Sequence, residues 1–412
     1  MKRYDELFAA RSTESWEGIG SGLATYLKAK SETVIPESGL EEKLSLGRPL
    51  SVKLGIDPTG ADLHLGHLVP VMILKQFLRA GHKVDLIIGD FTARIGDPSG
   101  RETARTPLSA EEIERHAATY AAQIEPYIDV SRISVHRNST WLSGMTLEDL
   151  FPILQTVSLS EAMQRDDFRA RVKNEQAVTL AEATYGVLMG LDSVALKTDI
   201  EIGGLDQLLN FMQCREVMKT KGLVEEAVIT APILLGTTGD GRKMSKSFGN
   251  YVPLRTTDDD MFGKIMSAPD DRIVPYFTAF ADVRLDEVPE LMAFAASEPL
   301  EAKKQVATFI VSLASGLEAG VAAREHFEKT FSKKEVTADD AVPVTYREGM
   351  TVFDALWETG DFESKTELRR LFTDGAVRTL STDAVIAPDA LCADVHDPIR
   401  VGKRRFYVFF SG

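Results

Sequence analysis

Gly55-Ile56-Asp57-Pro58-Thr59-Gly60-Ala61-Asp62-Leu63-His64-Leu65-Gly66-His67 stands between two different hydrophobic rhythms. Val52, Leu54 and Ile56 alternate ahead of it, and Leu68 to Ala80 behind it is a long amphipathic run. The spacing predicts a strand, a Gly/Pro-rich turn and a helix, with His64 and His67 in the first helical turn. Backbone N–H groups at a helix N-terminus are unpaired and carry the positive end of the dipole, so such a turn attracts phosphate. Two imidazoles add donors, and Gly66 lets a flat ring or a phosphate approach the backbone. On its own, His-x-Gly-His does not single out a nucleotide site.

Around this stretch, residues 50 to about 235 alternate β-rich and helical runs. Strands are expected at Ser51–Ile56, Lys83–Ile88, Ile133–His136 and Glu225–Thr230. Helices are expected at Leu68–Ala80, Ala110–Ile128, Leu147–Leu154 and Leu205–Thr220. The alternation points to an α/β fold, a parallel sheet with helices on both faces, which binds ligands beyond the carboxyl ends of its strands. Residues 1–34 read as an N-terminal helical arm, 35–235 as the α/β domain, and 236–335 as a mobile loop followed by helices. Residues 336–347 read as a linker, and 348–412 as a small α+β module with a helix, a turn at Gly375 and β-rich ends.

The 412 residues suffice for two or three domains, and 44% hydrophobic with 26% charged residues is ordinary for a globular protein. No apolar run reaches membrane-span length and the first residues lack a signal-peptide core, so a cytoplasmic protein without membrane association is expected. Cys214 and Cys392 lie far apart, with no second Cys or His at metal-ligand spacing, so reduced thiols and no bound metal are expected. A net charge of −15 argues against nonspecific coating of nucleic acid but allows a local basic patch.

Two further stretches carry chemistry. Gly241-Arg242-Lys243-Met244-Ser245-Lys246-Ser247-Phe248-Gly249-Asn250 is a loop bounded by glycines, with two lysines and two serines to donate to phosphate. The P-loop pattern Gly-x-x-x-x-Gly-Lys-Ser/Thr is absent. Ile95-Gly96-Asp97-Pro98-Ser99-Gly100, Tyr185-Gly186-Val187-Leu188-Met189-Gly190-Leu191-Asp192 and Gly203-Gly204-Leu205-Asp206-Gln207 make up the other set. Tyr185 and Asp192 are two helical turns apart, so both can point from one face into the same pocket.

Lys-Met-Ser-Lys-Ser far downstream of His-x-Gly-His resembles class I aminoacyl-tRNA synthetases, and the remaining motifs resemble the tyrosyl-tRNA synthetase family over roughly residues 50 to 410. Lys53-x-Gly55 ahead of Asp57-Pro58-Thr59 is similar to one bacterial subgroup. The resemblance implies a Rossmann-like catalytic domain, a helical domain, and ATP, Mg²⁺, tyrosine and tRNA(Tyr) as ligands of a homodimer. It implies catalytic roles for Thr59, His64, His67, Lys243 and Lys246. ATP would be held by these histidines and lysines with Gly55, Asp57, Gly66, Asp206, Met244 and Ser245. Tyrosine would be held by Asp192 at its hydroxyl, by Asp97 and Tyr185 at its ammonium, and by Lys53, Thr92, Met189 and Gln207 around them.

Two positions depart from the family pattern. Met189 stands where the family usually has Gln, and Lys53 where many members have a tyrosine that touches the phenol hydroxyl. Ser364 to Phe372, then Asp374-Gly375-Ala376-Val377, resembles an S4-type RNA-binding module, although the usual Val-Asn-Gly turn is replaced by Val377-Arg378-Thr379-Leu380. Arg369, Arg370, Lys403, Arg404 and Arg405 would form its basic face. The alternatives are a tryptophanyl-tRNA synthetase, for which Asp192 and the S4-like tail have no explanation, a small adenylyltransferase, and a non-catalytic RNA-binding paralogue. Trp141 is expected to serve packing, the pairs Asp166-Asp167 and Glu111-Glu112 to lie on solvated helix faces, and His82, His116, His136 and His396 to lie outside the chemistry.

Overall fold

The computed structural model describes residues 3–11, 20–99, 108–332, 341–362, 364–402 and 405–411. It divides into two compact units, Met1–Val321 and Ala322–Gly412. The loop that follows residue 236 and the helices up to Ser315 belong to the same compact unit as the sheet.

The sheet of the first unit holds β1 (Thr33–Ile35), β2 (Ser51–Ile56), β3 (Lys83–Ile88), β4 (Ser134–Arg137), β5 (Ile200–Gly204) and β6 (Ala227–Ala231), in the order β1-β6-β5-β2-β3-β4. All neighbours are parallel except β1, which pairs antiparallel with β6 at the edge. β3 and β6 are buried almost throughout, as expected where helices cover both faces. The chain builds β2, β3 and β4 in one direction, then returns to lay β5 on the other side of β2. That reversal opens a crevice at the carboxyl ends of β2 and β5, the place where such sheets bind ligands.

β2 and β3 have the expected limits, and two other strands are shifted by one or two residues. Two strands were not expected. β1 lies in the stretch read as a helical arm, whose described residues otherwise form helices at Tyr4–Arg11 and Gly20–Lys30. β5 was missed because Glu201, in the middle of Ile200-Glu201-Ile202, looks like an outward-facing polar residue, yet it is only 1% exposed. Lys53 stands opposite it in the β2–β5 register and neutralises it, with Nζ 2.6 Å from Glu201 Oε1.

The helix after the turn spans Leu65–Arg79, and most of its residues are buried. His64 is therefore its capping residue rather than part of its first turn. The helix Tyr185–Leu196 packs closely on Leu208–Thr220, because a Cβ on Gly190 would come within 2.9 Å of Cys214 Cα. The expected helix from Leu205 begins instead with a 3-10 turn, Leu205–Gln207.

The second unit carries a four-stranded sheet of β7 (Val342–Tyr346), β8 (Val377–Thr379), β9 (Ile399–Val401) and β10 (Arg405–Ser411), in the order β7-β10-β9-β8. Two helices, Val352–Glu358 and Lys365–Thr373, bury Leu356, Leu368 and Phe372 with Val377, Ile399 and Tyr407. β7 corrects the linker reading of 336–347: Val342–Tyr346 pairs in parallel with β10. Of that stretch, residues 336–340 lie outside the described residues.

Candidate active site

A cavity of about 800 Å³ opens at the crevice between β2 and β5. One end is built from the turn and the Lys243 loop. His64 Nδ1 accepts from Gly66 N at 3.2 Å, and His67 Nδ1 accepts from His64 N at 3.3 Å. With both Nδ1 lone pairs taken by backbone donors, each neutral ring carries its proton on Nε2 and can donate. The rings lie 3.9 Å apart, centre to centre. Burial and the neighbouring His67, Lys246 and Lys243 push His64 down to about 2, and burial with Lys246 pushes His67 down to about 4. Both are neutral hydrogen-bond donors at physiological pH.

The loop is fixed at both ends. Met244 N donates to Leu234 O at 2.8 Å, which extends the edge beyond β6, and Leu65 N donates to Val252 O at 3.0 Å. Asn250, fully buried, accepts from Ser245 N at 2.8 Å and donates to Lys243 O at 3.1 Å. Lys243 Nζ sits 3.1 Å from Asp206 Oδ2. Lys246 does not line the cavity; its ammonium lies against the turn, 2.7 Å from where a Cβ on Gly60 would stand.

Acidic groups line the other end. Asp192 Oδ1 accepts from Trp141 Nε1 at 2.7 Å, and Oδ2 accepts from Asn138 Nδ2 at 3.3 Å. Burial raises Asp192 to about 7 despite Lys53 beneath it and these two donors. Asp57 accepts from Thr92 Oγ1 at 2.7 Å and from Tyr185 OH at 3.0 Å, and burial together with Asp97 raises it to about 7 as well. A Cβ on Gly89 would fall 1.9 Å from Asp57 Oδ1, so only glycine permits this approach. Asp97 accepts from Gln207 Nε2 at 2.8 Å.

The structure thus brings together Gly55, Asp57, Thr59, His64, Gly66, His67, Thr92, Asp97, Tyr185, Met189, Asp192, Asp206, Gln207, Lys243, Met244 and Ser245 around one cavity. Lys53 is not among the lining residues; it is 1% exposed, bound to Glu201 and to Met189 O. Three side chains had no assigned role. Trp141, expected only to pack, donates to Asp192. Asn138, buried, ties Asp192 to Thr92 Oγ1 at 3.1 Å. Asn210 donates to Gln207 Oε1 at 2.8 Å and accepts from Arg165 NH1 at 2.7 Å, which fixes the amide facing Asp97. Its place three residues after Gln207 was the one available signal.

The cavity at the sheet reversal thus has neutral imidazoles and a lysine loop at one end, and three carboxyl groups at the other. The family of class I tRNA synthetases for tryptophan and tyrosine matches residues 45–332. A curated tyrosine–tRNA ligase of Aquifex aeolicus is 38% identical over 94% of this chain and 98% of its own length. One from Thermotoga maritima is 37% identical over 94% and 96%. The chain belongs to the tyrosyl-tRNA synthetase family. Its fold agrees with this membership: a truncated mitochondrial tyrosyl-tRNA synthetase of Aspergillus nidulans superposes with a TM-score of 0.64 at 20% identity, covering 79% of this chain and 99% of that one. One from Archaeoglobus fulgidus, complexed with L-tyrosine, gives 0.60 at 23%, covering 74% and 99%.

In this tyrosyl-tRNA synthetase family member, the residues expected to face RNA are partly engaged. Arg370 is exposed and 3.8 Å from Asp374, Arg369 stacks over Phe353 at 5.6 Å, and Arg405 lies over Phe362 at 4.6 Å and 3.4 Å from Glu367. Lys403 and Arg404 lie outside the described residues. Among the described residues, no helix is long and apolar enough to cross a membrane.

Proposed function

We propose that the chain ligates tyrosine to tRNA(Tyr) in two steps within this cavity. The tyrosine carboxylate attacks the α-phosphorus of ATP and pyrophosphate leaves; a ribose hydroxyl of the terminal adenosine of tRNA then attacks the acyl carbon and AMP leaves. The observation that carries the reading is Asp192, a buried carboxylate held in place by Trp141 and Asn138 at the acidic end of the cavity, where it can accept from a phenol hydroxyl. Asp97, held by Gln207, and Tyr185 suit the substrate ammonium. Thr59, the Nε2–H groups of His64 and His67, the helix start and the two loop lysines suit the phosphates, and Asp206 suits the ribose. Asp206 would first have to release Lys243. Met189 brings no amide to the ammonium, which leaves that task to Asp97 and Tyr185.

ATP would come with Mg²⁺. The phosphate end offers imidazoles and lysines rather than a carboxylate cage, which fits an ion carried on phosphate oxygens and water. ATP–pyrophosphate exchange across the standard amino acids tests the reading. Exchange with tyrosine is expected; exchange with another amino acid but not tyrosine overturns it.

The electrostatics give a second check. Asp57 and Asp192 each lie at about 7, so near that pH each is partly protonated in the free protein. An ammonium arriving at Asp97 favours the charged form of Asp57, and a phenol hydroxyl donating to Asp192 favours its charged form, so both values fall and a proton is expelled. Tyrosine binding near pH 7 should therefore release a fraction of a proton, seen by calorimetry in buffers of different ionisation enthalpy. Proton uptake would contradict the placement of the ammonium.

Residues 348–412 would bind tRNA through Arg369, Arg370 and Arg405, with Lys403 and Arg404 between β9 and β10. Reversing Arg369 and Arg370 to Glu should raise the KM for tRNA roughly tenfold or more, about 1.4 kcal/mol per factor of ten. Pyrophosphate exchange should not change. An equal loss in both assays would refute this surface.

The protein would act as a homodimer. Leu147, Phe151, Leu159, Val172 and Leu180 are each more than half exposed within the stretch 147–180, apolar surface that a second copy of the chain would cover. Phe151→Asp should convert a dimer to a monomer in sedimentation, and a monomeric wild type would dismiss the surface. A cytoplasmic location fits Cys214 and Cys392, both buried and free.

A further inference from the structure

At the floor of the cavity, which Glu201 lines, sits a group of ionisable side chains that the reaction above leaves unused. Lys53 of β2 and Glu201 of β5 form an ion pair, almost fully buried. Glu226, fully buried just before β6, accepts at Oε1 from Ser193 Oγ at 3.1 Å. A carboxylate oxygen of Glu201, one of Glu226 and the Cys214 sulfur all lie within 4.8 Å of one another. Glu201 Oε2 and Glu226 Oε2 have no hydrogen-bond partner. A buried carboxylate oxygen without a donor is costly, and two carboxylates that each hold one, with oxygens within 4.8 Å of each other, are more so. Two carboxylates that share one cation in the interior cannot both stay ionised, whereas one proton between them satisfies both orphaned oxygens.

We propose that Glu201 and Glu226 share one proton, and that this leaves Lys53 balanced by a single carboxylate charge and so positions Asp192 as an ionised acceptor for the substrate hydroxyl. The second half rests on the reading of Asp192 given above. The groups facing Asp192 are Lys53 from β2, Glu201 from β5, Cys214 from the helix Leu208–Thr220, Asn138 and Trp141 after β4, and Asp57 and Tyr185 across the cavity. Those facing Glu226 are Glu201, Lys53, Ser193, Cys214 and Lys43, while Arg215 donates to its backbone carbonyl. With one shared proton, Lys53, Glu201 and Glu226 sum to zero. With none they sum to −1, and because the charges of Lys53 and Glu201 both act on Asp192, that excess would favour a proton on it. Burial and the Glu201 charge both raise Glu226 well above the usual carboxylate range, in keeping with a proton held there.

Infrared spectroscopy of the full chain tests the shared proton without relying on activity. Near pH 9, roughly two units above Asp57 and Asp192, a protonated carboxylic carbonyl band should remain in the wild type. It should vanish in Glu226→Gln and equally in Glu201→Gln, because either amide leaves one carboxylate paired with Lys53. A wild type without the band overturns the proposal. The pH dependence of kcat/KM for tyrosine tests the positioning role, since it reports groups of the free enzyme. Glu226→Gln exchanges one neutral group for another, so the acid limb should keep its midpoint; a shift of about one unit to lower pH would show that a real negative charge had been removed. Lys53→Met should move the midpoint up by about one unit or more, and an unmoved limb in a folded variant would refute the link to Asp192. If Asp192→Asn leaves tyrosine recognition intact, the reading of Asp192 fails whether or not the band is seen.

Discussion

Asp192→Asn should lower kcat/KM for tyrosine in pyrophosphate exchange by about 10- to 150-fold, the equivalent of a hydrogen bond to a charged group, about 1.5–3 kcal/mol. Phenylalanine, which has no hydroxyl to offer, should lose little. Discrimination between the two is thus expected to collapse by nearly the same factor. The geometry makes the substitution worse than the loss of a charge. Trp141 Nε1 and Asn138 Nδ2 both donate to the native carboxylate. An amide can present its oxygen to one of them only, so its NH₂ must face the other donor or the substrate hydroxyl. Parallel measurement with both amino acids is the check, and an unchanged ratio would remove Asp192 from the substrate.

The second large effect belongs to Lys246. Its ammonium rests against the turn at Gly60 and is close enough to both histidines to depress their protonation. A cation there can meet charge that develops on the leaving pyrophosphate. Lys246→Ala should lower kcat of activation by about 10²–10³-fold, the usual cost of removing one such electrostatic donor. Tyrosine affinity measured without ATP should stay put, because Lys246 does not line the cavity. The same variant should let His67 titrate at higher pH, since one of the two cations that hold it neutral is gone. Stopped-flow activation rates would decide the matter; a normal rate with a raised KM for tyrosine would assign Lys246 elsewhere.

Much of this was legible in the sequence where signals are local. A strand, a turn and a helix follow from the spacing of Val52, Leu54, Ile56 and the run after His64, although not the cap at His64. Tyr185 and Asp192 share a cavity because two helical turns separate them. The failures occur where a residue's meaning depends on a distant partner. Glu201 makes β5 look half-exposed until Lys53 is placed opposite it. Trp141 reads as packing until Asp192, 51 residues on, is seen to receive its N–H. β1 and β7 are short, and β7 contains Pro343 after a polar run, so neither carries enough periodicity to be seen alone. Lys53 was placed beside the substrate by the family resemblance, whereas the register of β2 and β5 turns it to Glu201 at the cavity floor.

The antiparallel edge made by β1 and β6 also sets a timetable for synthesis. Thr33 and Thr230 are 197 residues apart, so at about 5–20 residues per second the first strand waits on the order of 10–40 s for its partner to leave the ribosome. β2, β3 and β4 can pair well before then, but the floor of the pocket cannot close until β5 is inserted beside β2. Asp206 and the Lys243 loop are later still in the chain. A nascent copy therefore has its histidine turn early and its substrate pocket late, and ribosomes that stall before residue 200 should carry chains unable to retain tyrosine.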